Sequence, residues 1–430
     1  MNLREKILSK KAKIGIIGLG YVGLPEAVGL ANVGFDVTGI DLSKEKIARV
    51  NRGDCYIEDI DKKEFKNAVN SKKLRATTDS SVIKNLDIVC VCVPTPFNIY
   101  KEPDLTCVRQ ATEQIAKNFG SKEKLVVLES TTYPGTTREI MLEAFSSSGR
   151  KVGRDFYLAF SPERIDPGNK KYYVTNTPKV VGGITKECTS LASLFYSQFV
   201  ERTVPVSSPE TAEMTKLLEN IFRNVNIALM NELMLLCDRM KIDIWEVVDA
   251  AKTKPFGFMS FKPGPGVGGH CIPIDPVYLS WKAKEYDFHT RFIELAAEIN
   301  SNMPYYVISR ISRLLQRQGK PLNKSRVLLL GVAFKKDIDD VRNSPALKII
   351  ELLLKEGVKV VYNDPFIPKF KEDSIYMKSS KLTKQFINSC DCSVILTDHS
   401  CYDYKWIAKN SKMVLDTRNV AGRRANIERL

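Results

Sequence analysis

One cysteine of this chain lies in a run that leaves its thiol little freedom. Between Gly264 and Pro276, four glycines and three prolines surround Cys271, so proline rings and glycine turns constrain the backbone on both sides of it. A thiolate held in a fixed position attacks an aldehyde, and the thiohemiacetal then loses hydride to become a thioester. Asp275, four residues on, is suited to act as a base or to orient a water. His270 adjoins the cysteine, but neighbouring side chains often diverge, and no base role is assigned to it.

Loss of hydride requires an acceptor, and the other end of the chain offers a place for one. Gly18-Leu19-Gly20-Tyr21-Val22-Gly23 follows a strand and opens a helix. In that context the first glycine makes a tight turn, the second lets backbone approach a pyrophosphate, and the third packs helix on strand. The helix start presents free N–H groups and a positive dipole end to the phosphates. Asp41 ends the next strand, where a carboxylate binds ribose hydroxyls and repels a 2′-phosphate, so NAD is expected rather than NADP. A third pattern is Lys216 and Asn220, four apart and so on one face of a helix. A lysine and an amide on an otherwise apolar helix suit a buried pair that holds an alkoxide or oxyanion as hydride leaves.

The elements that must position these groups follow from periodicity. Residues 12–205 alternate strand and helix: strands at Lys13–Ile17, Phe35–Ile40, Ile88–Val93 and Leu125–Glu129, with a helix at Pro25–Val33. This alternation predicts an α/β fold with a parallel, doubly wound sheet. Apolar residues at helical spacing from Glu210 to Lys252 predict one long helix, a central connector and much of a dimer interface. Pro255–Pro276 reads as loop, and a second long helix spans about His289 to Arg317. A smaller α/β unit follows, with strands at Ser325–Leu330, Val358–Tyr362, Cys392–Thr397 and Met413–Asp416 and a helix at Pro345–Glu356. The expected division is 1–205 for the dinucleotide, 206–318 as a helical centre bearing the cysteine loop, and 319–430 as a C-terminal Rossmann-like domain.

Composition narrows the class. The 430 residues are 43% hydrophobic and 27% charged, those of a globular protein. No apolar run approaches the roughly 20 residues that span a bilayer. The N-terminus runs directly into a strand without a signal-peptide core, so the expected location is the cytoplasm. Ten cysteines with only three histidines, and no CxxC pairs among them, argue against zinc or another metal. The net charge of +15 is spread along the chain and accompanies no nucleic-acid motif. It suits a dianionic small ligand, with neither nucleic acid nor membrane as partner.

Together these residues resemble the UDP-glucose/UDP-N-acetylhexosamine/GDP-mannose dehydrogenase family, most closely its UDP-N-acetylglucosamine 6-dehydrogenase branch. The resemblance covers nearly the whole chain through GLGYVGLP (18–25), VPTP (93–96), ESTTYPGTT (129–137), FSPERIDPGN (160–169), the Lys216–Asn220 helix, KPFGF (254–258), PGPGVGGHCIPIDP (263–276) and GVAFKKDIDDVRNSPAL (331–347). It implies an NAD-dependent four-electron oxidation of the C6 alcohol of a UDP-sugar to a carboxylate, in a homodimer or larger homo-oligomer. Cys271 would carry the thiohemiacetal and thioester. Lys216, Asn220 and Asp275 would surround C6, Glu163 would activate the hydrolytic water, and Thr131 would stand near the nicotinamide and that water. Gly18, Gly20, Tyr21, Val22, Gly23, Asp41, Lys46, Thr95 and Arg342 would contact NAD. Lys262, Gly268, Lys335 and Arg418 would hold the UDP-sugar, with Glu163 and Arg164 also on its side. Two NAD molecules would be used in turn, because one full dinucleotide fingerprint is present.

Departures from the pattern bear on the sugar. The UDP-glucose branch has serine before the cysteine and lysine before the aspartate, where this chain has His270 and Ile274. An arginine that branch lends across its dimer has no counterpart near Pro255. These changes favour a 2-acetamido sugar, UDP-N-acetylglucosamine first and its manno epimer or UDP-glucose as alternatives. Whether Glu163 or Asp275 activates the water stays open. A single-oxidation β-hydroxyacid dehydrogenase shares the glycine turn and a catalytic lysine, but it needs neither the thiol nor a third domain. A non-catalytic nucleotide-binding scaffold would leave Cys271, Lys216, Asn220, Glu163 and Asp275 together by coincidence.

Overall fold

The computed structural model describes all residues except Ile99, Lys101, Pro167, Lys170, Asp373 and Ser374; of the motifs above, Pro167 of FSPERIDPGN lies outside the described residues. The chain forms two compact units, one from Met1–Glu219 with Val277–Phe288, the other from Asn220–Pro276 with His289–Leu430. Among the described residues no helix is long and apolar enough to cross a membrane.

The first unit is built on eight strands: β1 (Lys13–Ile17), β2 (Asp36–Ile40), β3 (Leu74–Thr77), β4 (Ile88–Val91), β5 (Lys124–Leu128), β6 (Phe156–Phe160), β7 (Lys179–Gly183) and β8 (Thr203–Val206). Their order is β3-β2-β1-β4-β5-β6-β7-β8. Helices cover both faces, which is why β4 and β5 are buried along their whole length and read as unbroken apolar runs. Every neighbouring pair is parallel except β6 and β7. That reversal departs from the expected parallel sheet and has a local cause. Among the described residues of 161–178 there is no helix, and without a helical crossover the next strand returns antiparallel. Glu163 lies on this connection.

The predicted helix over Glu210–Lys252 is two helices. The first runs Pro209–Met240. Lys241 then takes a left-handed conformation, φ 59°, and Asp243 caps the N-terminus of Ile244–Ala251 by accepting the Trp245 N–H at 3.1 Å. A short polar side chain that satisfies a helix start outweighs continued periodicity. The loop expected to reach Pro276 ends sooner, because a helix begins at Asp275 and runs to Ala283.

The second unit contains β9 (Arg326–Leu330), β10 (Lys359–Asn363), the antiparallel pair β11 (Lys369–Glu372) and β12 (Ile375–Lys378), β13 (Cys392–Ile395), β14 (Val414–Asp416) and β15 (Ile427–Arg429). Five of them form a parallel sheet in the order β10-β9-β13-β14-β15. The helices Arg291–Gln316 and Pro345–Lys355 bury Val307, Ile311, Leu314, Ile349, Ile350 and Leu353 with Val327, Leu329 and Val394 of the sheet.

Candidate active site

In the first unit the glycine turn after β1 has the geometry its spacing predicts. Gly18 has φ +95°, and a Cβ there would lie 2.3 Å from the Cys92 carbonyl oxygen. At Gly23 a Cβ would strike the Gly18 carbonyl oxygen at 2.0 Å, so the helix Gly23–Asn32 can pack on the strand only without a side chain there. Gly20 faces open space, which is what a backbone approaching a pyrophosphate needs. Tyr21 is exposed and Val22 half-buried at the helix start. Asp41, just past β2, accepts the Leu19 and Ser43 N–H groups at 2.9 Å each and the Lys46 ammonium at 3.2 Å. The turn and the Asp41 carboxylate are thus tied into one cradle that fits a dinucleotide. Thr95 donates its hydroxyl to the Thr131 carbonyl at 2.8 Å, joining the loops after β4 and β5.

Beneath the cradle lies a buried polar cluster. The Lys179 ammonium, at the start of β7, donates to Glu129 at 2.6 Å and to Glu163 at 3.1 Å, with Glu26 at 3.9 Å. Glu129 also accepts the Tyr196 hydroxyl at 2.6 Å. Burial alone would pull the lysine down, but the Glu129, Glu163 and Glu26 carboxylates outweigh it and hold it well above the ordinary lysine range. Glu26 is fully buried, and neither carboxyl oxygen has a hydrogen-bond partner. Burial and the neighbouring Glu129 push it well above the carboxylate range, which favours its neutral form. Ligand atoms of Glu26, Cys92 and Glu129 lie within 4.8 Å of one another, but Lys179 already supplies the cation there.

Glu163 is held at both oxygens. Oε1 accepts the N–H groups of Arg164 and Ile165 at 2.7 and 2.8 Å, and Oε2 accepts Lys179. Arg164 turns its guanidinium to Glu219 at 2.6 Å and to the Pro178 carbonyl at 2.8 Å. Lys216 is buried on the long helix at 8% exposure, and Asn220 one turn on at 6%.

In the second unit the cysteine loop is clamped from several sides. Gly264 donates its N–H to Asn231 at 2.9 Å, Asn231 donates to Asn300 at 2.9 Å, and Asn300 donates to Asn224 at 2.8 Å. A Cβ on Gly264 would lie 2.8 Å from the Arg418 guanidinium, and one on Gly268 would meet Phe334 and the Asn343 carbonyl oxygen, each at 2.8 Å. The Gly269 N–H donates to the Arg342 carbonyl at 3.1 Å, and Asn343 donates back to the Gly269 carbonyl at 3.1 Å. Cys271 is half-buried, and its carbonyl accepts the Ile274 and Asp275 N–H groups at 3.0 and 2.9 Å, which sets it at the start of the following helix. Asp275 is buried and accepts the Asn220 side-chain amide. The structure therefore brings Asn220, Asp275 and Cys271 to one end of that helix. Burial, then the nearby Arg342, lowers the His270 imidazole, which is neutral at pH 7. Arg342 is exposed and paired to Asp340 at 2.6 Å, Lys335 is half-buried on the 331–337 loop, and Lys262 is exposed.

Three consecutive stretches match the UDP-glucose/GDP-mannose dehydrogenase family: residues 12–200 its NAD-binding domain, 210–302 its central domain and 328–423 its UDP-binding domain. The chain belongs to this family. It is 35% identical over 423 residues to a UDP-N-acetyl-D-mannosamine dehydrogenase of Methanococcus maripaludis, covering 95% of this chain and 93% of the relative. It is 37% identical over 362 residues to a UDP-N-acetyl-D-glucosamine 6-dehydrogenase of Pseudomonas aeruginosa, covering 83% and 84%. The solved UDP-D-ManNAc dehydrogenase of Pyrococcus horikoshii superposes with a TM-score of 0.88 at 32% identity, covering 97% of this chain and 98% of that one. The chain is thus an NAD-dependent nucleotide-sugar dehydrogenase, with NAD as its cofactor.

Several groups of this dehydrogenase escape sequence reasoning. Glu129, Lys179 and Tyr196 carry a weak signal: single polar groups at the ends of strands or on a helix buried against a sheet must find partners. Asn224, Asn231 and Asn300 carry none beyond being amides on apolar helices. Glu213, one turn before Lys216, accepts the Gly135 N–H at 2.6 Å and the Thr137 N–H and hydroxyl at 2.9 and 2.7 Å.

Burial nevertheless pushes Glu213 from 4.5 up to about 7. A buried acid raised in the folded state binds its proton more tightly than in the unfolded chain. Its contribution to stability is full below pH 4.5 and is lost as pH rises through about 7. At 1.36 kcal/mol per pKa unit the swing is about 3 kcal/mol. Denaturant titrations from pH 5 to 8 should show a smaller loss of stability in Glu213→Gln than in the unsubstituted protein. Equal slopes would remove Glu213 from the account.

Proposed function

We propose that this dehydrogenase oxidises the C6 alcohol of a UDP-N-acetylhexosamine twice, to the uronic acid, through a thioester on Cys271. The observation that carries this reading is the clamped glycine loop, which sets a half-buried thiol at a helix start beside the Asn220–Asp275 pair. A helix start favours the thiolate. NAD, held by the glycine turn and Asp41, would supply the hydride acceptor for each oxidation. Lys216 and Asn220 stabilise the oxygen at C6 as charge develops on it. The Cys271 thiolate adds to the aldehyde, and loss of hydride from the thiohemiacetal leaves the thioester. Glu163 takes a proton from the water that cleaves it, and Asp275 orients Asn220. Thr131 and Thr95 shape the nicotinamide end of the cradle, while Asp41 and Lys46 form its ribose end. Lys335, Lys262 and Arg418 hold the diphosphate and base, with Arg342 on the dinucleotide and Arg164 on the sugar side.

For the sugar, KPFGF and SPERIDPG support the gluco epimer. A second reading, the manno epimer, is favoured by a relative named for that sugar that is 35% identical over 95% of this chain. NADH yield per mole of limiting sugar decides both points, measured on UDP-N-acetylglucosamine, UDP-N-acetylmannosamine and UDP-glucose. Two NADH per sugar are expected, fastest on UDP-N-acetylglucosamine. One NADH per sugar refutes the thioester route, and faster turnover of the manno sugar selects the second reading.

The same chain is proposed to work as a homodimer. Along the helix Pro209–Met240, Met214, Leu218, Phe222, Leu229, Leu236 and Met240 are exposed at 42–63%. A row of that length is apolar surface that a second copy covers. Sedimentation at the mass of one 48.5 kDa chain would overturn this.

A further inference from the structure

The chemistry above uses Glu163 and leaves its partner Lys179 unexplained. Glu163 stands just after β6 and Lys179 opens β7, at the two ends of the connection between those strands. We propose that Lys179 is a positioning residue for the reaction: its ammonium, bridging Glu129 and Glu163, fixes the Glu163 carboxylate and balances its charge. This rests on the reading that Glu163 acts on water.

Geometry supplies the first argument. With two backbone N–H groups on Oε1 and the ammonium on Oε2, the Glu163 carboxylate is held at both oxygens. Oε1 is thereby filled, while Oε2 still has lone-pair capacity for a water. Loss of Lys179 frees Oε2 and lets the carboxylate turn about the pair of backbone bonds.

Charge supplies the second. The titratable groups that face Lys179 come from every element packed on it. They are Glu26 on the helix Gly23–Asn32, Cys90 and Cys92 at the end of β4, Glu129 after β5, and Tyr196, whose ring lies 4.8 Å from the ammonium. Burial pushes Glu26, Cys90, Cys92 and Tyr196 up, which favours the neutral form of each. The ammonium stands between the Glu129 and Glu163 carboxyl groups, at 2.6 and 3.1 Å. Without it, two buried carboxylates share a site, and one of them takes up a proton at higher pH.

The test is the pH dependence of kcat and KM in the full chain for the unsubstituted protein, Lys179→Met, Lys179→Arg and Glu129→Gln, with Glu163→Gln as control. In Lys179→Met the acid limb of kcat should move up by about one pH unit or more, the scale of a lost opposite charge. Lys179→Arg should restore it towards its original place, with KM little changed. Glu129→Gln leaves the ammonium to Glu163 alone and should move the limb down, so the proposal stays testable if Lys179→Met does not fold. An unmoved limb in Lys179→Met and Glu129→Gln, with only stability lowered, overturns the proposal and makes the cluster structural. Undiminished acid formation in Glu163→Gln would instead overturn the reading beneath it.

Discussion

Cys271→Ala is expected to lower formation of the uronic acid by more than about 10⁴-fold, the scale on which loss of a covalent nucleophile is felt. The first oxidation does not need the thiol. NADH yield should therefore fall from two per sugar to one at most, with aldehyde as the trapped product. Folding should survive, because Cys271 is half-buried in a loop anchored by backbone and asparagine bonds at Gly264 and Gly269. An unchanged melting temperature with lost acid formation assigns the loss to chemistry. Cys271→Ser separates nucleophile from volume, since an ester on serine would persist as added mass on the intact protein. Turnover to the acid at the original rate in Cys271→Ala would refute the thioester.

Much of what positions these groups is legible because it depends on local backbone. At Gly18 and Gly23 a side chain would collide with backbone at 2.3 and 2.0 Å, so the glycines announce the turn in the sequence itself. The cysteine loop is legible for the same reason, since Gly266 and Gly269 have φ of +129° and +94°. Where competing local signals overlap, the stronger pattern hides the weaker. Ile242, Ile244 and Val248 continue the apolar period past Met240, and only Asp243 marks the new helix start. The reversal of β7 has no local signature, because it follows from the missing crossover between β6 and β7.

The partners of the site residues are the least legible part. Lys179 meets Glu129 across a sequence separation of 50 residues, and Asn231 meets Asn300 across 69. Such pairs are set by strand order and helix packing, which no short spacing encodes. The sequence does place one polar group at each position, in surroundings too apolar to leave it unpaired. Glu129 after a fully buried strand and Lys179 at the start of another are charges that the sheet could bury only together. That constraint runs from fold to chemistry: the pair that makes the interior tolerable also supplies the cation beside Glu163.

Glu163→Gln is expected to stop the reaction after the second hydride rather than before the first. Glutamine keeps the side-chain length and can still accept the Arg164 and Ile165 N–H groups that hold Oε1. What it loses is the ability to take a proton from water, so steady-state acid formation should fall by about 10²–10⁴-fold, the range for a general base. The two oxidations precede hydrolysis. Mixed with excess NAD and sugar, the variant should therefore give a burst of two NADH per enzyme followed by near-arrest. Intact-mass analysis of the arrested protein should find the acyl group on Cys271. A burst followed by arrest makes Glu163 the hydrolytic base. An undiminished steady state in Glu163→Gln, with burst and arrest in Asp275→Asn, would give that role to Asp275, whose carboxylate holds Asn220 at the start of the cysteine-flanking helix.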